Sequence, residues 1–325
     1  MADHKDDQNK NLILATALSF LVILIWFVLF PPPEPETPLG VETTSDLTAP
    51  ATTESLPSVT EEAPASVTAS TDAGEEAIAN APRVDISTDR LRGSISLLGG
   101  RIDDLALKDY RETQEDGAEI VTMLSPVGTD APYYALYGWA AGSGLNPAAV
   151  PGPNTEWTQT GGDVLSVDAP VTLTWDNGAG LVFTRQVAVD EDYLFTITQS
   201  VGNTSDQAVS MAPYGILARH GQPEDLKNFF ILHEGVVGMA DGELAEIDWD
   251  DMPDFTFQER EGARAEVIQV QQNGWIGFTD HFWMSTLIPA PGSAFKSVAK
   301  YDDRRDIYQT ETVLPAQTVA PGTSI

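Results

Sequence analysis

The chain lacks cysteine and is poor in basic residues. None of its 325 residues is Cys, which excludes a disulfide framework, a thiol nucleophile and a thiolate zinc site. Lys and Arg number 17 against 49 Asp and Glu, giving a formal net charge of −32. A surface of that sign repels nucleic acid and anionic lipid headgroups. The composition therefore argues against binding to DNA, RNA or the lipid surface.

Histidine is scarce as well, with four in the whole chain. Three of them lie beyond the N-terminal region, at His220, His233 and His281. Only His233 has an acidic neighbour, Glu234, and adjacent strand residues point to opposite faces, so this pair cannot chelate one ion. We expect structural roles for the three histidines and no metal centre, cofactor or catalytic centre.

Other candidates for catalysis are also weak. The acidic pairs Asp103–Asp104, Asp190/Asp192 and Asp302–Asp303 lie in polar, turn-like sequence, whereas acid–base catalysis needs a buried carboxyl with a shifted pKa. We expect solvated turn residues at these positions. Ser143 lies in Gly-Ser-Gly rather than in the Gly-x-Ser-x-Gly pattern of a nucleophile elbow.

A single long apolar run is present, at residues 12–30. Its nineteen residues include no charge, no Pro and no Gly. A helix of that length spans roughly 28 Å, which matches the hydrocarbon core of a bilayer. The run is longer than the core of a cleavable signal, and it ends in bulky aromatic residues. It predicts an uncleaved transmembrane anchor, with Leu12, Trp26 and Phe30 marking its start and its interfacial end.

The basic residues near the run set its expected orientation. Lys5 and Lys10 precede it, and the next basic residue in the chain is Arg83. Because basic residues are retained on the cytoplasmic side, residues 1–11 are expected in the cytoplasm. The main domain then lies outside, in the periplasm of a Gram-negative cell.

Residues 31–82 have the composition of a linker. They hold nine Pro and ten acidic residues with no Lys or Arg. Such a segment buries too little apolar surface to offset the entropy cost of ordering, so we expect an extended, disordered tether. The folded domain is expected at 83–325, where 36 acidic and 15 basic residues occur.

The pattern of residues 83–325 is almost wholly β. Strand, turn and strand are predicted around Gly99-Gly100. Asn177-Gly178 separates the alternating runs 171–175 and 181–189, which predicts a hairpin with a type I′ turn. A turn at 190–192, a strand at 193–200 and a break at 202–203 follow. Further strands are predicted at 229–232, 264–271, 274–279, 282–288, 294–300 and 306–313, with one short helical turn near 224–228.

Many short strands separated by polar turns predict a mainly β fold, a large antiparallel sandwich of two stacked sheets. The aromatic residues Trp275, Phe278, Phe282 and Trp283 are expected to pack in its core, the alternative being a ligand- or partner-facing patch. The final residues, 313–325, stop within a strand-like pattern, so we expect the chain to be a fragment of a longer one.

Several segments resemble a known family when taken in order. They are ISLLGGRIDDLALKDYRET from residue 95, LSP at 124–126, YYALYGW at 133–139, LTWDNGAGLVFTRQVAVDEDYLFTITQSVGN from 173, PYG at 213–215, HEG at 233–235, GWIGFTDHFW at 274–283 and APG at 320–322. The chain is similar to the N-terminal part of the bacterial membrane protein insertases of the YidC/Oxa/Alb family. It departs from the family at His281-Phe282, where Lys-Tyr is usual.

The resemblance implies a β-supersandwich, with a short helical piece at its C-terminal end, held to the inner membrane by the first transmembrane helix. It also implies nascent membrane proteins as clients and the Sec translocon and SecD–SecF as partners. The insertase groove of the family lies in five later helices, so no groove residue is carried over. The family-motif residues, for which we expect structural roles, are Gly99, Gly100, Trp175, Asn177, Gly178, Asp190, Tyr193, Trp275, Asp280 and Trp283.

The sequence leaves two other hypotheses about function open. An all-β periplasmic domain could be a sugar-binding or mutarotase-like protein, which would require His220 or His233 to face a Glu across a polar cleft. Alternatively, an exposed sheet edge could form a docking surface for a partner.

Overall fold

The computed structural model describes residues 78, 80–223, 226, 232–280 and 282–325. Most of these residues lie in β-strands or in the turns between them. The predicted anchor at 12–30 lies outside these residues, and so does nearly all of the predicted tether. The predicted helical turn near 224–228 and the strand at 229–232 also lie almost wholly outside them.

The described residues form twenty strands and two short 3₁₀ helices, Pro147–Ala149 and Met252–Asp254. In the first half of the domain the strands are β1 (Arg83–Ser87), β2 (Leu91–Ser96), β3 (Arg101–Arg111), β4 (Ile120–Leu124), β5 (Tyr133–Ala141), β6 (Thr158–Gly161), β7 (Val171–Asp176), β8 (Leu181–Val189), β9 (Phe195–Asn203) and β10 (Val209–His220). The remainder are β11 (Gly235–Ala240), β12 (Glu243–Asp248), β13 (Phe257–Gln258), β14 (Ala263–Val270), β15 (Gly274–Thr279), β16 (Met284–Leu287), β17 (Phe295–Asp302), β18 (Ile307–Val313), β19 (Gln317–Val319) and β20 (Thr323–Ser324).

These strands form three antiparallel sheets. The large sheet has 11 strands in the order β1-β2-β3-β5-β10-β18-β17-β14-β13, with β19 beside β10 and β4 beside β3. A four-stranded sheet runs β12-β11-β15-β16, and a five-stranded sheet runs β20-β9-β8-β7-β6. The predicted antiparallel β fold is confirmed. Two smaller sheets, rather than one, share a core with the large sheet, since no described strand of the four-stranded sheet pairs with a strand of the five-stranded sheet.

The large sheet buries apolar side chains on both of its faces. Tyr133 belongs to a hydrophobic cluster that contains residues of all three sheets, whereas Tyr134 belongs to a second cluster. Neighbouring strand residues point to opposite faces, so the second cluster lies on the other side of the sheet. This explains why YYALYGW shows no alternation, since a strand buried on both faces is apolar throughout.

The predicted hairpin at Asn177-Gly178 is confirmed, but its turn type is wrong. Positive φ occurs at Gly178 (68°) and Gly180 (93°), while Asn177 keeps a negative φ. The side chain explains the difference, because Asn177 Oδ1 accepts hydrogen bonds from Ala179 N (2.8 Å) and Leu181 N (3.1 Å). The loop is therefore four residues long and is closed by an Asn side chain.

The predicted break at 202–203 is also wrong, because β9 continues through Asn203. The Asn203 side chain is buried and donates to Gln207 O (2.7 Å) and Val319 O (3.0 Å). It therefore ends the strand while satisfying carbonyls of two other segments. At the C-terminal end, where the family resemblance implies a helical piece, the described residues form β19 and β20.

Candidate functional site

One acidic pair does not have the solvated turn position that its sequence predicts. Asp103 lies within β3, fully buried, and forms an ion pair with Arg83. Burial raises the pKa of Asp103, and the nearby Arg83 charge opposes that rise. The prediction is wrong because strand β1 brings a counter-ion that local sequence does not show. Asp190 and Asp192, in contrast, lie in the predicted turn.

The Gly99-Gly100 pair forms the β2–β3 turn around a buried arginine. Both glycines have positive φ, and a Cβ on Gly100 would lie 2.4 Å from Arg185 Nη1. Arg185, on β8, donates to Gly100 O (2.9 Å), to Gly99 O (3.4 Å) and to Tyr137 O. Its guanidinium carbon lies 4.4 Å from the centre of the Trp157 ring. Burial lowers the pKa of Arg185 to about 10, which leaves it charged at neutral pH.

Two further family-motif residues shape the β8–β9 turn. Asp190 Oδ1 accepts from Asp192 N (2.8 Å) and Leu194 N (2.9 Å). Tyr193 has a φ of 71°, and its hydroxyl donates to Asp109 Oδ2 (2.9 Å) on β3. This turn therefore fastens the five-stranded sheet to the large one.

The motif residues after β15 make a similar connection. Asp280 Oδ1 accepts from Trp283 N (3.2 Å), and its Oδ2 lies 3.5 Å from Arg219 Nη1 on β10. The Trp283 ring packs edge-on against Tyr110, with centroids 4.8 Å apart. Trp275 is half-buried on β15, and the Trp175 ring lies 5.6 Å from Phe183.

The aromatic residues between positions 275 and 283 do not form one core cluster. Phe278 is buried and stacks on Trp249 at 4.8 Å, as core packing predicts. Phe282, in contrast, is 76% exposed, and Trp283 lines a groove. Core packing therefore applies to Phe278, whereas Phe282 lies at the surface and Trp283 lies at the groove.

The two described histidines, His220 and His233, contact different residues. His220 Nε2 lies 3.3 Å from Tyr134 Oη, and burial lowers the pKa of His220. His233 lies beside Asp248, with Nδ1 3.2 Å from Oδ1, and its Nε2 is 2.8 Å from Val236 O. His281 lies outside the described residues. Across the described ranges, no group of three or more His, Asp or Glu is placed to hold a metal ion.

An apolar groove of about 700 Å³ lies among the described residues. We call it the apolar groove. Its lining comes mainly from three places: the large sheet, strand β9, and strand β16 together with the residues that follow β16. The principal residues are Leu105, Leu107, Tyr137, Trp139, Pro213, Gly215, Leu217 and Thr312 of the large sheet, Phe195, Ile197 and Gln199 of β9, and Met284, Ser285, Thr286, Leu287, Ile288, Pro289 and Ala290.

The groove differs in charge from the chain that forms it. None of the described residues that line it is Asp, Glu, Lys, Arg or His, although the chain as a whole carries a net charge of −32. Its apolar lining includes side chains that also face solvent, with Ile288 60% exposed and Leu194 53% exposed. Sequence reasoning missed the groove because its lining comes from strands far apart in the chain. The uncharged stretch 284–290 was the one local signal.

Within the described ranges, no helix is long and apolar enough to cross a bilayer. The predicted anchor residues Leu12, Trp26 and Phe30 are not among those ranges.

The fold and the groove define a large antiparallel β-supersandwich domain with an apolar groove. A family model described as the YidC periplasmic domain matches residues 83–325. The chain therefore belongs to the YidC family of membrane protein insertases.

Curated relatives agree over nearly the whole chain. Membrane protein insertase YidC of Roseobacter denitrificans is 68% identical over 320 residues, which cover 98% of this chain and 53% of the relative. The protein of the same description from Ruegeria pomeroyi is 61% identical over 325 residues, with the same coverage. The chain thus spans about half the length of the curated relatives it matches.

Solved structures give weaker likenesses. A galactose mutarotase related enzyme from Lactobacillus acidophilus is 10% identical, with a TM-score of 0.47, covering 75% of this chain and 94% of that one. A galactose mutarotase-like protein from Lactobacillus casei is 12% identical, with a TM-score of 0.44, covering 75% and 97%. At these scores the likenesses carry no argument about function.

Proposed function

We propose that this chain is the membrane-anchored periplasmic part of an insertase that places and folds proteins in the inner membrane. The match of the YidC periplasmic domain model to residues 83–325 carries the proposal. In this assignment residues 1–11 are cytoplasmic, 12–30 span the membrane, 31–82 tether the domain, and 83–325 form the periplasmic domain.

The proposed role involves no bond chemistry. Insertion moves a client between solvents, so it needs surfaces and position rather than a nucleophile or a general base. The different contacts of His220 and His233 and the uncharged described lining of the groove support this role. A mutarotase-like site requires one of these histidines to face a Glu, and neither has a Glu among its described hydrogen-bond partners.

The proposed partners follow from the family. Nascent membrane proteins are the clients, the bilayer is the surrounding medium, and the Sec translocon with SecD–SecF assists. Nucleic acid is not a partner, since a net charge of −32 repels phosphate backbones.

Depletion of the full-length protein in its own bacterium tests the proposal. Insertion of a small membrane protein, followed by protease protection in spheroplasts, is expected to fall at least fivefold and to recover when the full-length gene is restored. A gene in which residues 83–325 are exchanged for an unrelated periplasmic domain is expected to restore most insertion, because the insertase helices lie elsewhere in the longer relatives. Undiminished insertion after depletion would contradict the proposed function.

A further inference from the structure

We propose that Asn273 is a site of spontaneous deamidation, a covalent change that loosens the turn between β14 and β15. The dipeptide Asn-Gly occurs twice in the chain, at Asn177-Gly178 and at Asn273-Gly274. The inference goes beyond the proposed function and does not depend on it, because it rests on the different hydrogen bonds that the fold gives to these two dipeptides.

The reaction joins two groups of neighbouring residues. The backbone nitrogen of Gly274 loses its proton and forms a bond to Cγ of Asn273, while the bond from Cγ to Nδ2 breaks and ammonia leaves. Water then opens the five-membered succinimide ring at either of its two carbonyls, which yields Asp or isoaspartate at position 273. Glycine favours the attack because it has no side chain to hinder the close approach of its backbone.

The fold holds the first Asn-Gly pair away from this reaction. Asn177 Oδ1 accepts from Ala179 N (2.8 Å), and its Nδ2 donates to Ala149 O (3.0 Å). The attacking nitrogen is engaged as well, because Gly178 N donates to Asp176 Oδ1 (2.8 Å). These bonds must break before Cγ and Gly178 N can meet in a reactive orientation.

The side chain of the second pair has no such restraint. Asn273 is exposed, whereas Asn177 is half-buried. The hydrogen bonds of Asn273 within the described chain involve its backbone, and none of them uses its side-chain amide. Its Cγ can therefore turn toward Gly274 N without losing a side-chain contact.

The attacking nitrogen of the second pair is also open. Asp241 N donates to Asn273 O (2.8 Å), which continues the ladder between β11 and β15 by one bonded rung. Bonded and unbonded rungs alternate in an antiparallel ladder, so Ala240 and Gly274 point their backbone groups away from each other. On the other edge of β15, described pairing with β16 begins only at Ile276. Gly274 N therefore has no strand partner within the described chain.

The backbone of Asn273 slows the reaction without blocking it. Asn273 N donates to Asp241 Oδ1 (3.2 Å), and Asn273 O accepts from Asp241 N (2.8 Å). Both bonds restrict the rotation that brings Cγ onto Gly274 N, but neither uses one of the reacting groups. We therefore expect deamidation at Asn273 to be slower in the folded chain than in the unfolded one, and faster than at Asn177.

The turn that carries Asn273 connects three loops. Asp241, in the turn between β11 and β12, accepts from Gln271 N (2.7 Å), Gln272 N (2.9 Å) and Asn273 N. Gly292, in the loop between β16 and β17, donates its N–H to Gln272 O (3.0 Å). A carboxylate at position 273 would repel that of Asp241, and isoaspartate would add a methylene group to the backbone beside the bonded rung. Both products weaken the connection.

The test follows the full chain in lipid nanodiscs, incubated at pH 8 in water labelled with heavy oxygen. Peptide mapping by mass spectrometry measures the heavy oxygen incorporated at positions 177 and 273, which separates new reaction from earlier damage. Conversion at 273 is expected to be at least ten times faster than at 177 and to give both Asp and isoaspartate. In the urea-unfolded chain the two rates are expected to agree within threefold, since both pairs are then Asn-Gly without fixed contacts.

Two variants supply a second readout. Asp176→Ala removes the acceptor of Gly178 N and is expected to speed conversion at Asn177 at least threefold while leaving Asn273 unchanged. Asn273→Gln keeps an amide on a longer side chain, so ring closure at 273 is expected to fall at least tenfold. Circular dichroism checks the fold of both variants, and the comparison of the two positions in the parent chain stays decisive if a variant fails to fold.

Hydrogen exchange measures the effect on the turn. The Asp241 amide, which donates to Asn273 O, is expected to exchange at least threefold faster once position 273 has reacted. In the Asn273→Gln variant, the same incubation is expected to leave this exchange rate unchanged.

Two results would overturn the inference. Conversion at 273 that is no faster than at 177 in the folded chain would show that the hydrogen bonds of the two pairs do not control the reaction. Conversion at 273 without faster exchange of the Asp241 amide would show that deamidation does not loosen the turn.

Discussion

At the scale of single residues, Arg185 joins two sheets through backbone carbonyls. It extends from β8 of the five-stranded sheet to Gly99, Gly100 and Tyr137 of the large sheet region. β3 and β5 pair through only one residue pair, Ile102 with Ala135, so they diverge beside the carbonyls that Arg185 binds. A planar guanidinium with five donors can serve several carbonyls at once, which Lys cannot do.

Replacing Arg185 by Ala is expected to destabilise the domain by about 3–5 kcal/mol, because it leaves buried carbonyls without donors and opens a cavity. Arg185→Lys is expected to recover only part of that loss. Urea unfolding followed by circular dichroism measures both. Arg92→Ala, at an exposed position of β2, is the control and is expected to stay within about 0.5 kcal/mol of the parent. An Arg185→Ala variant as stable as that control would contradict the role assigned to Arg185.

His220 gives the domain a pH dependence of known sign. Burial lowers its pKa below the usual 6.5, and Arg101 acts in the same direction while Asp306 opposes it. The unfolded chain then binds a proton more readily than the folded one at pH values below 6.5. Its contribution to stability is therefore complete above pH 6.5 and declines as the pH falls below that value.

Replacing His220 by Gln is expected to reduce the loss of stability between pH 7 and pH 5. The measurement is the difference in free energy of unfolding between parent and variant at several pH values, which cancels the titration of the many carboxylates. That difference should change steadily below pH 6.5. A difference independent of pH would show that the neutral form of His220 is not the one the fold prefers.

At the scale of elements, two glycine turns differ in what surrounds them. Gly99 and Gly178 both have positive φ, at 77° and 68°. A Cβ on Gly99 would lie 2.6 Å from Pro153 O, a backbone atom, whereas a Cβ on Gly178 would have nothing within 4 Å. The two positions therefore separate backbone strain from steric conflict.

Gly178→Ala is expected to cost about 1–2 kcal/mol, the penalty of a left-handed conformation for an L-residue. Gly99→Ala is expected to cost at least about 1 kcal/mol more, because the carbonyl of Pro153 must also move. Thermal and urea unfolding of the two variants provide the comparison. Equal losses would mean that the 150–157 loop moves aside without cost.

Local pattern predicted those strands that alternate, and it failed where a strand is buried on both faces or contains Pro. β7, β8, β14, β15, β17 and β18 agree with their predicted ranges to within one or two residues. The sequence analysis predicts no strand at β10, which contains Pro213, a residue type that is rare in central strands. Pro213 is tolerated since β10 pairs with β19 up to Met211 and with β18 from Tyr214, so its missing N–H falls between the two partners.

The groove was beyond sequence reasoning for a different reason. Gly215 and Ile197 lie on different sheets, and Ile288 follows a third, so only the tertiary fold brings them together. The turn residues Gly99 and Gly178 were recognisable because glycine at a turn acts locally. Arg185 was not singled out, since nothing near it in sequence shows the carbonyls that it binds.

At the scale of the whole molecule, the chain as a whole and the groove differ in charge. The chain is strongly acidic, with a net charge of −32, yet the described lining of the groove carries no charged side chain. An acidic surface favours solubility and keeps the domain away from anionic headgroups.

We propose that the chain is anchored with its N-terminus in the cytoplasm and residues 83–325 in the periplasm, and labelling of single cysteines tests this orientation most directly. The absence of Cys makes single-cysteine labelling free of background. Asn9→Cys and Glu259→Cys are placed separately in the chain, and intact Gram-negative cells are treated with a maleimide that crosses only the outer membrane. We expect labelling at position 259 in intact cells and at position 9 only after lysis. Labelling at 9 and protection at 259 in intact cells would contradict the account.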